Sequence, residues 1–367
     1  MLTKADEYPI HQTPDPIAYS GTDRNFYDRY FFNGHSPDGA VMFGAAMGIY
    51  PHLNIIDAAF SVKIGDVQHN LRASRHLNME RMDTFVGPIR VEVVEPLKAL
   101  RLIVEDNEHG ISADLTITGR HFPIEEKRTT KRVGPRVLQD VTRMTQMGRW
   151  TGWLKAGGHE FRFDEANPAS GVRDRSWGVR AVGERDPQVP VPVQDFQVWW
   201  YWLPVHFDDG VMLYLLNEDG DGKPWNEGLF TVSDGGDPVH WSETALDVSL
   251  WPGTRWPSGA TLTARDPDGR RCTITVEPGA RFFMSGIGYM HPEWNHGKNK
   301  GELAIAYDEI RESEVGAYGL PYQHVQAFAD VTVTPEGGEP RRGHGTFEYI
   351  LIGRHAPTGL ESLFDVP

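Results

Sequence analysis

The ten residues Tyr30-Phe31-Phe32-Asn33-Gly34-His35-Ser36-Pro37-Asp38-Gly39 read as an aromatic strand running into a turn. The same order returns as Tyr201-Trp202-Leu203-Pro204-Val205-His206-Phe207-Asp208-Asp209-Gly210. A second stretch, Ala59-Phe60-Ser61-Val62-Lys63-Ile64-Gly65-Asp66, returns as Leu229-Phe230-Thr231-Val232-Ser233-Asp234-Gly235-Gly236. The offsets are 171 and 170 residues, so one register holds between the two halves of the chain. That constancy points to duplication of one structural unit. His35 and His206 occupy equivalent places before a turn, which suits a structural role.

Working outward, residues 40–50, 58–64, 67–77, 89–94, 99–105 and 111–119 are short, mostly alternating apolar stretches separated by turn residues. No window keeps a 3.6-residue apolar period over three turns with capping residues. Turn signals at such close spacing predict an all-β chain of two tandem antiparallel barrels with few short helices. The expected divisions are an N-terminal arm over 1–20, a first domain over 21–185, a Pro-rich linker over 186–195 and a second domain over 196–367. Closure removes exposed strand edges and is expected to leave in each barrel a cavity for one small ligand.

Bulk composition narrows the function. A formal net charge of -15 without any long basic run argues against nucleic acid as a partner. Cys272 is the only cysteine, so no intrachain disulfide forms and a cytoplasmic setting is expected. Residues 1–19 are polar and Pro-containing, which is not the pattern of a signal peptide, and no stretch reaches the roughly 18 apolar residues of a membrane span. The chain carries 11 Trp, 12 Tyr and 17 Phe, an aromatic excess that predicts ring-lined interiors and a small hydrophobic molecule as partner. No phosphate-binding loop, dinucleotide fingerprint or Gly-x-Ser-x-Gly elbow is present, so no cofactor is expected. Nothing in the sequence specifies the oligomeric state.

Three stretches carry candidate chemistry. In Gly171-Val172-Arg173-Asp174-Arg175-Ser176-Trp177-Gly178-Val179-Arg180, an extended backbone puts Arg173, Arg175 and Trp177 on one face and Asp174 and Ser176 on the other. This is either a half-buried polar site or an Arg–Asp staple. Tyr289-Met290-His291-Pro292-Glu293-Trp294-Asn295-His296 lies among glycines and offers two imidazoles and a carboxylate for acid–base work. Its spacing is not that of a helical zinc motif, and no metal is expected. Trp199, Trp200, Tyr201 and Trp202 alternate along one strand, so each face carries a pair of rings. Arg143 is placed to pair a carboxylate or to grip a ligand's acid group. Asp308 and Glu309 are further acidic candidates.

The aromatic strand into Ser-Pro-Asp-Gly, the pair Val86-Gly87-Pro88-Ile89-Arg90 and Val94-Glu95-Pro96-Leu97, Gly148-Arg149-Trp150-Thr151-Gly152, Arg173 to Gly178, Tyr289 to Gly297 and Gly345-Thr346-Phe347-Glu348-Tyr349 resemble one group. It is a bacterial branch of the carotenoid 1,2-hydratase (hydroxyneurosporene synthase) and AttH-like superfamily. The resemblance covers most of residues 25–355 and implies two tandem lipocalin-like (calycin) barrels. It further implies acid-catalysed addition of water to a C=C, with an aspartic acid as proton donor and aromatic rings around it. Asp174 matches that acid most closely, but Arg175 stands where the hydratases' pattern has His. An adjacent guanidinium depresses a carboxyl pKa, so Asp174 either donates the proton or orients Arg175.

The expectation is therefore a cofactor-free lyase or isomerase acting on an isoprenoid, steroid-like or polycyclic substrate in an aromatic cavity at or near the junction of the barrels. Its catalytic candidates are Asp174, Tyr289, His291, Glu293 and His296. Its substrate-binding candidates are Arg143, Arg175, Trp177, Trp199, Trp200, Tyr201, Trp202 and Trp294. The competing readings are a non-catalytic carrier of a hydrophobic ligand and a pericyclase or cyclase of the kind the fungal Diels–Alderases represent.

Overall fold

Ser36-Pro37-Asp38-Gly39 reverses the chain because Asp38 accepts hydrogen bonds from Ser36 Oγ and the Ala40 N–H, while Gly39 takes a φ of 67°. On either side lie β1 (Phe26–His35) and β2 (Val41–Tyr50), paired from Asp28↔Ile49 to His35↔Met42. The computed structural model describes residues 2–10, 23–185, 188, 191 and 196–367. The expected arm and linker thus lie largely outside the described residues.

Two compact units result, one of Met1–Val193 with Ser285–Arg311 and the other of Gln194–Met284 with Glu312–Pro367. The first continues through β3 (Ile55–Ile64), β4 (Val67–His76), β5 (Phe85–Val86), β6 (Ile89–Glu95), β7 (Ala99–Val104) and β8 (Ser112–Gly119). After the short β9 (Ile124–Glu125) and β10 (Thr129–Val133) come β11 (Arg136–Ala156), β12 (His159–Phe163) and β13 (Ala169–Val179). The hydrogen-bonded order is β4-β3-β2-β1-β13-β11-β8-β7-β6-β5, so the last long strand closes on the first. β5 also packs against β3 and β4, bringing the two ends of the path together.

The second unit holds β14 (Val198–Phe207), β15 (Gly210–Glu218), β16 (Pro224–Ser233), β17 (Val239–His240), β18 (Ser242–Leu250), β19 (Pro257–Arg265) and β20 (Arg271–Phe283). The chain then supplies β21 (Leu303–Arg311) to the first unit, where it pairs with β4, before β22 (His324–Pro335) and β23 (Arg341–Ile352). The second order, β17-β16-β15-β14-β23-β22-β20-β19-β18, repeats the first. The echoed segments fall on equivalent strands, β1 with β14 and β3 with β16. The fold is all-β, two tandem antiparallel barrels, and the helices among the described residues are short 3₁₀ turns. Residues 285–311, read from sequence as part of the second domain, belong to the first unit.

Aromatic rings occupy part of the interior of the first barrel. Phe32, Phe43, Phe60, Trp150 and Phe163 meet there, with Trp150 edge-on to Phe32 and Phe43 at 5.8 and 5.4 Å between ring centroids. Among the described residues no helix is long and apolar enough to cross a membrane.

Candidate functional site

Residues directly opposite on antiparallel strands share a face, so register sorts the arginine-rich strand. Tyr30 opposite Arg175 and Phe32 opposite Arg173 put both arginines on the core side of the first barrel. There Arg173 pairs with Glu7 and donates its Nε–H to Gln146 Oε1, while Arg175 pairs with Asp28 at 2.6 Å and stacks over Tyr30 at 3.9 Å. All four charged groups are buried. This face is the staple.

The other face carries the second set. Tyr27 opposite Gly178, Arg29 opposite Ser176 and Phe31 opposite Asp174 lie on the outside of the barrel. Arg143, opposite Ser176 on β11, approaches Asp174 at 3.6 Å and Glu126 at 3.4 Å. Arg180 continues the same face, its guanidinium 4.5 Å from the Tyr27 ring.

Segment 285–302 runs over this face and is anchored by β21. Asp308 binds Arg72 through both oxygens and accepts from Asn70. Burial alone raises the Asp308 pKa, but hydrogen bonds from His291, Arg72 and Asn70 outweigh it and hold the carboxyl well below its usual range. Asp308 is therefore an ionised clamp and not a proton donor. His291 Nδ1 accepts the Glu293 and Trp294 N–H groups and caps the turn, leaving Glu293 exposed.

His296 is drawn inward. Its Nε2–H donates to Ile287 O at 2.9 Å, and its Nδ1 faces Arg29 Nη1 at 3.3 Å. Arginine can only donate, so Nδ1 is the acceptor and the ring is neutral with its proton on Nε2. Gly288, at a φ of 99°, allows the close approach, because a Cβ there would stand 2.8 Å from the ring. Tyr289 packs edge-on to His296 at 4.6 Å and under the Arg29 guanidinium at 4.7 Å.

The acid that sequence reasoning missed is Asp57 on β3. Its Oδ1 accepts from the Tyr50 hydroxyl at 3.1 Å and its Oδ2 from the Gly297 N–H at 2.6 Å. Burial pushes the carboxyl up to about 6, against the hydrogen bonds of Gly297 and Tyr50 and the charge of Arg29. Ala46, Asp57, Arg72, Trp294, Asn295 and His296 help enclose a cavity of about 10 Å³, on the scale of one water. Asn295 also lines a neighbouring groove of about 230 Å³, with Val182, Gly183 and Arg24 among its walls. Val182 of that groove belongs to one buried apolar cluster with Tyr27 and Tyr50. No single residue signals this in sequence: Asp57 stands alone in a strand, without a motif.

Of the sequence candidates, Asp174, Arg143, Tyr289, His296 and Trp294 join this region. Arg175 points to the opposite face, and Trp177 is half-buried. Among the described residues no three His, Cys, Asp or Glu side chains converge as metal ligands would. Trp199, Trp200, Tyr201 and Trp202 belong to the second unit. Trp199 stacks on His355 and Tyr201 on Phe347, while Trp200 meets His324 edge-on at 5.9 Å. There His324 and Gln326 hydrogen-bond a buried Glu348, a polar cluster also not foreseen.

Similar architecture occurs in a protein of Nitrosomonas europaea designated AttH. It has 12% identity and a TM-score of 0.52, over 93% of this chain and 98% of that one. Kievitone hydratase from Nectria haematococca gives 11% identity and a TM-score of 0.50, over 96% of this chain and 93% of that one. At these identities the likeness is one of fold. No curated protein matches the chain in sequence. Residues 2–361 match one sequence family, described as a family of unknown function (DUF8625).

Proposed function

The chain belongs to DUF8625, and from its site we propose a cofactor-free lyase of the hydratase kind, adding or removing water across a C=C in a small hydrophobic substrate. The observation that carries this reading is Asp57: a carboxyl pushed up to about 6 in the wall of a water-sized cavity, which shares Asn295 with a larger groove. A general acid works best with a pKa near the operating pH, and Asp57 has that property where Asp308 lacks it. The likeness of fold to a hydratase supports the same chemistry without specifying a substrate.

In the hydration direction the substrate lies along the groove past Val182 and Asn295. The Asp57 O–H proton is transferred to one alkene carbon. A water oxygen bonds to the other carbon, and the water proton returns to the Asp57 carboxylate, so the acid is regenerated and one water is consumed. Tyr50 and the Gly297 N–H steady the carboxylate between the two transfers. Asp174, bound to Arg143, serves as a fixed negative charge beneath the cluster.

The test is incubation of purified protein with conjugated and isolated alkenes in ¹⁸O-labelled water. The expected outcome is one labelled oxygen per turnover, reduced at least ~100-fold in Asp57→Asn. Absence of label across the panel, or full activity in Asp57→Asn, would sink the reading.

A further inference from the structure

Arg29 is only 2% exposed, yet among the described residues no carboxylate stands in ion-pair contact with it. Its Nη1 meets His296 Nδ1, its Nε has no hydrogen-bond partner, and its guanidinium lies 4.7 Å from the Tyr289 ring centroid and 5.8 Å from that of Tyr27. Arg180 brings a second guanidinium to the same two rings, at 5.7 and 4.5 Å, again without a carboxylate in contact among the described residues. Tyr27 is fully buried, and its hydroxyl has no partner. Buried donors and cations are ordinarily matched, so a set left unmatched at one place calls for an explanation.

The surrounding charges do not fill the gap. Asp308 is committed to Arg72, and Glu126 to Arg143 and Thr145. Asp174 contacts Arg143, and Asp57 is held by Tyr50 and Gly297, so both act on Arg29 only through space. The adjoining groove has Arg24, Arg136 and Arg185 in its walls against a single Glu184.

We infer that Arg29, Arg180 and Tyr27 hold the carboxylate of the substrate, which makes the substrate an unsaturated acid with a small apolar body. A guanidinium fork matches the two oxygens of a carboxylate, and the flanking rings keep it planar and dry. The inference rests on the hydratase reading and narrows it. A carbocation formed here would be repelled by Arg29, and the Tyr27 and Tyr289 faces that would stabilise it already carry guanidinium groups. Conjugation of the C=C to a carboxylate reverses the sign: negative charge develops toward Arg29 as water adds.

Calorimetric titration of the full-length protein at pH 7 with matched acids and amides tests this. The pairs are cinnamate, sorbate and geranate with their amides, and cinnamyl phosphate serves as a competing anion. At least one acid is expected to bind 10-fold or more tightly than its amide. The preference should disappear in Arg29→Gln, fall several-fold in Arg180→Gln at a half-exposed position, and fall about 3-fold in Tyr27→Phe. Amides that bind as tightly as acids in every pair would overturn the inference. So would tighter binding of the phosphate, or an acid preference that survives in both arginine variants. Acid binding without ¹⁸O incorporation would leave the anion site standing and remove the hydration chemistry. Label in neutral alkenes without acid preference would do the reverse.

Discussion

Burial lifts the Asp57 carboxyl to about 6 while Gly297, Tyr50 and Arg29 pull it down, so the native state holds this proton longer than the unfolded chain does. Between the ordinary aspartate value of 3.8 and about 6, the unfolded chain is ionised first, and native stability falls as pH rises through that window. Above it the full cost is present. Asp57→Asn, which removes the charge, is therefore expected to stabilise the protein at pH 7.5 by about 1–3 kcal/mol, discounted for partial exposure, and to give little gain at pH 4. Urea denaturation at both pH values checks it. Equal destabilisation at both would make Asp57 a plain hydrogen-bond acceptor. The acid itself could not be read from sequence, because its pKa is set by burial in the folded chain, against hydrogen bonds from Tyr50, seven residues before it, and from Gly297, 240 residues away. His296 was readable as polar and functional, but its neutral tautomer depends on Arg29, which no local pattern connects to it.

At the scale of elements, β13 shows how far a period of two can be taken. Alternation separated Arg173 and Arg175 from Asp174 and Ser176, and register confirms the division. Whether the strand is staple or site was undecidable, since each face answers differently: the core side neutralises its arginines with Glu7 and Asp28, the outer side faces the candidate site. Those partners come from other segments, so the strand's own sequence does not contain the answer. A sharp consequence follows for Glu7→Gln. It leaves the Arg173 guanidinium, 2% exposed, without its carboxylate, and is expected to cost about 3–5 kcal/mol of stability in denaturant titration. Label incorporation per folded molecule should not change. A loss of turnover in folded Glu7→Gln protein would show that the staple face also shapes the site.

For the whole molecule, duplication was legible because turn residues and aromatic strands keep their order over two halves, and the strand paths repeat. The crossing of 285–311 into the first unit was not. β21 pairs with β4 from Leu303↔Arg75 to Arg311↔Val67, a choice made by a distant partner. The segment gives β4 its outer neighbour, Arg72 its Asp308, Asp57 its Gly297 N–H and Arg29 its Tyr289 and His296. Residues 1–193 alone should therefore leave a bare strand edge and deprive Arg72 of Asp308 and its cover, and lose several kcal/mol, enough to unfold a marginally stable domain. Joining 285–311 to residue 193 through a flexible linker should restore a cooperative thermal transition, since closing such a loop costs little beside the contacts regained. Calorimetry of the two chains decides the matter: equal melting temperatures would mean the segment only covers the first barrel, and the acid would have to owe its raised pKa to β2 and β3 alone.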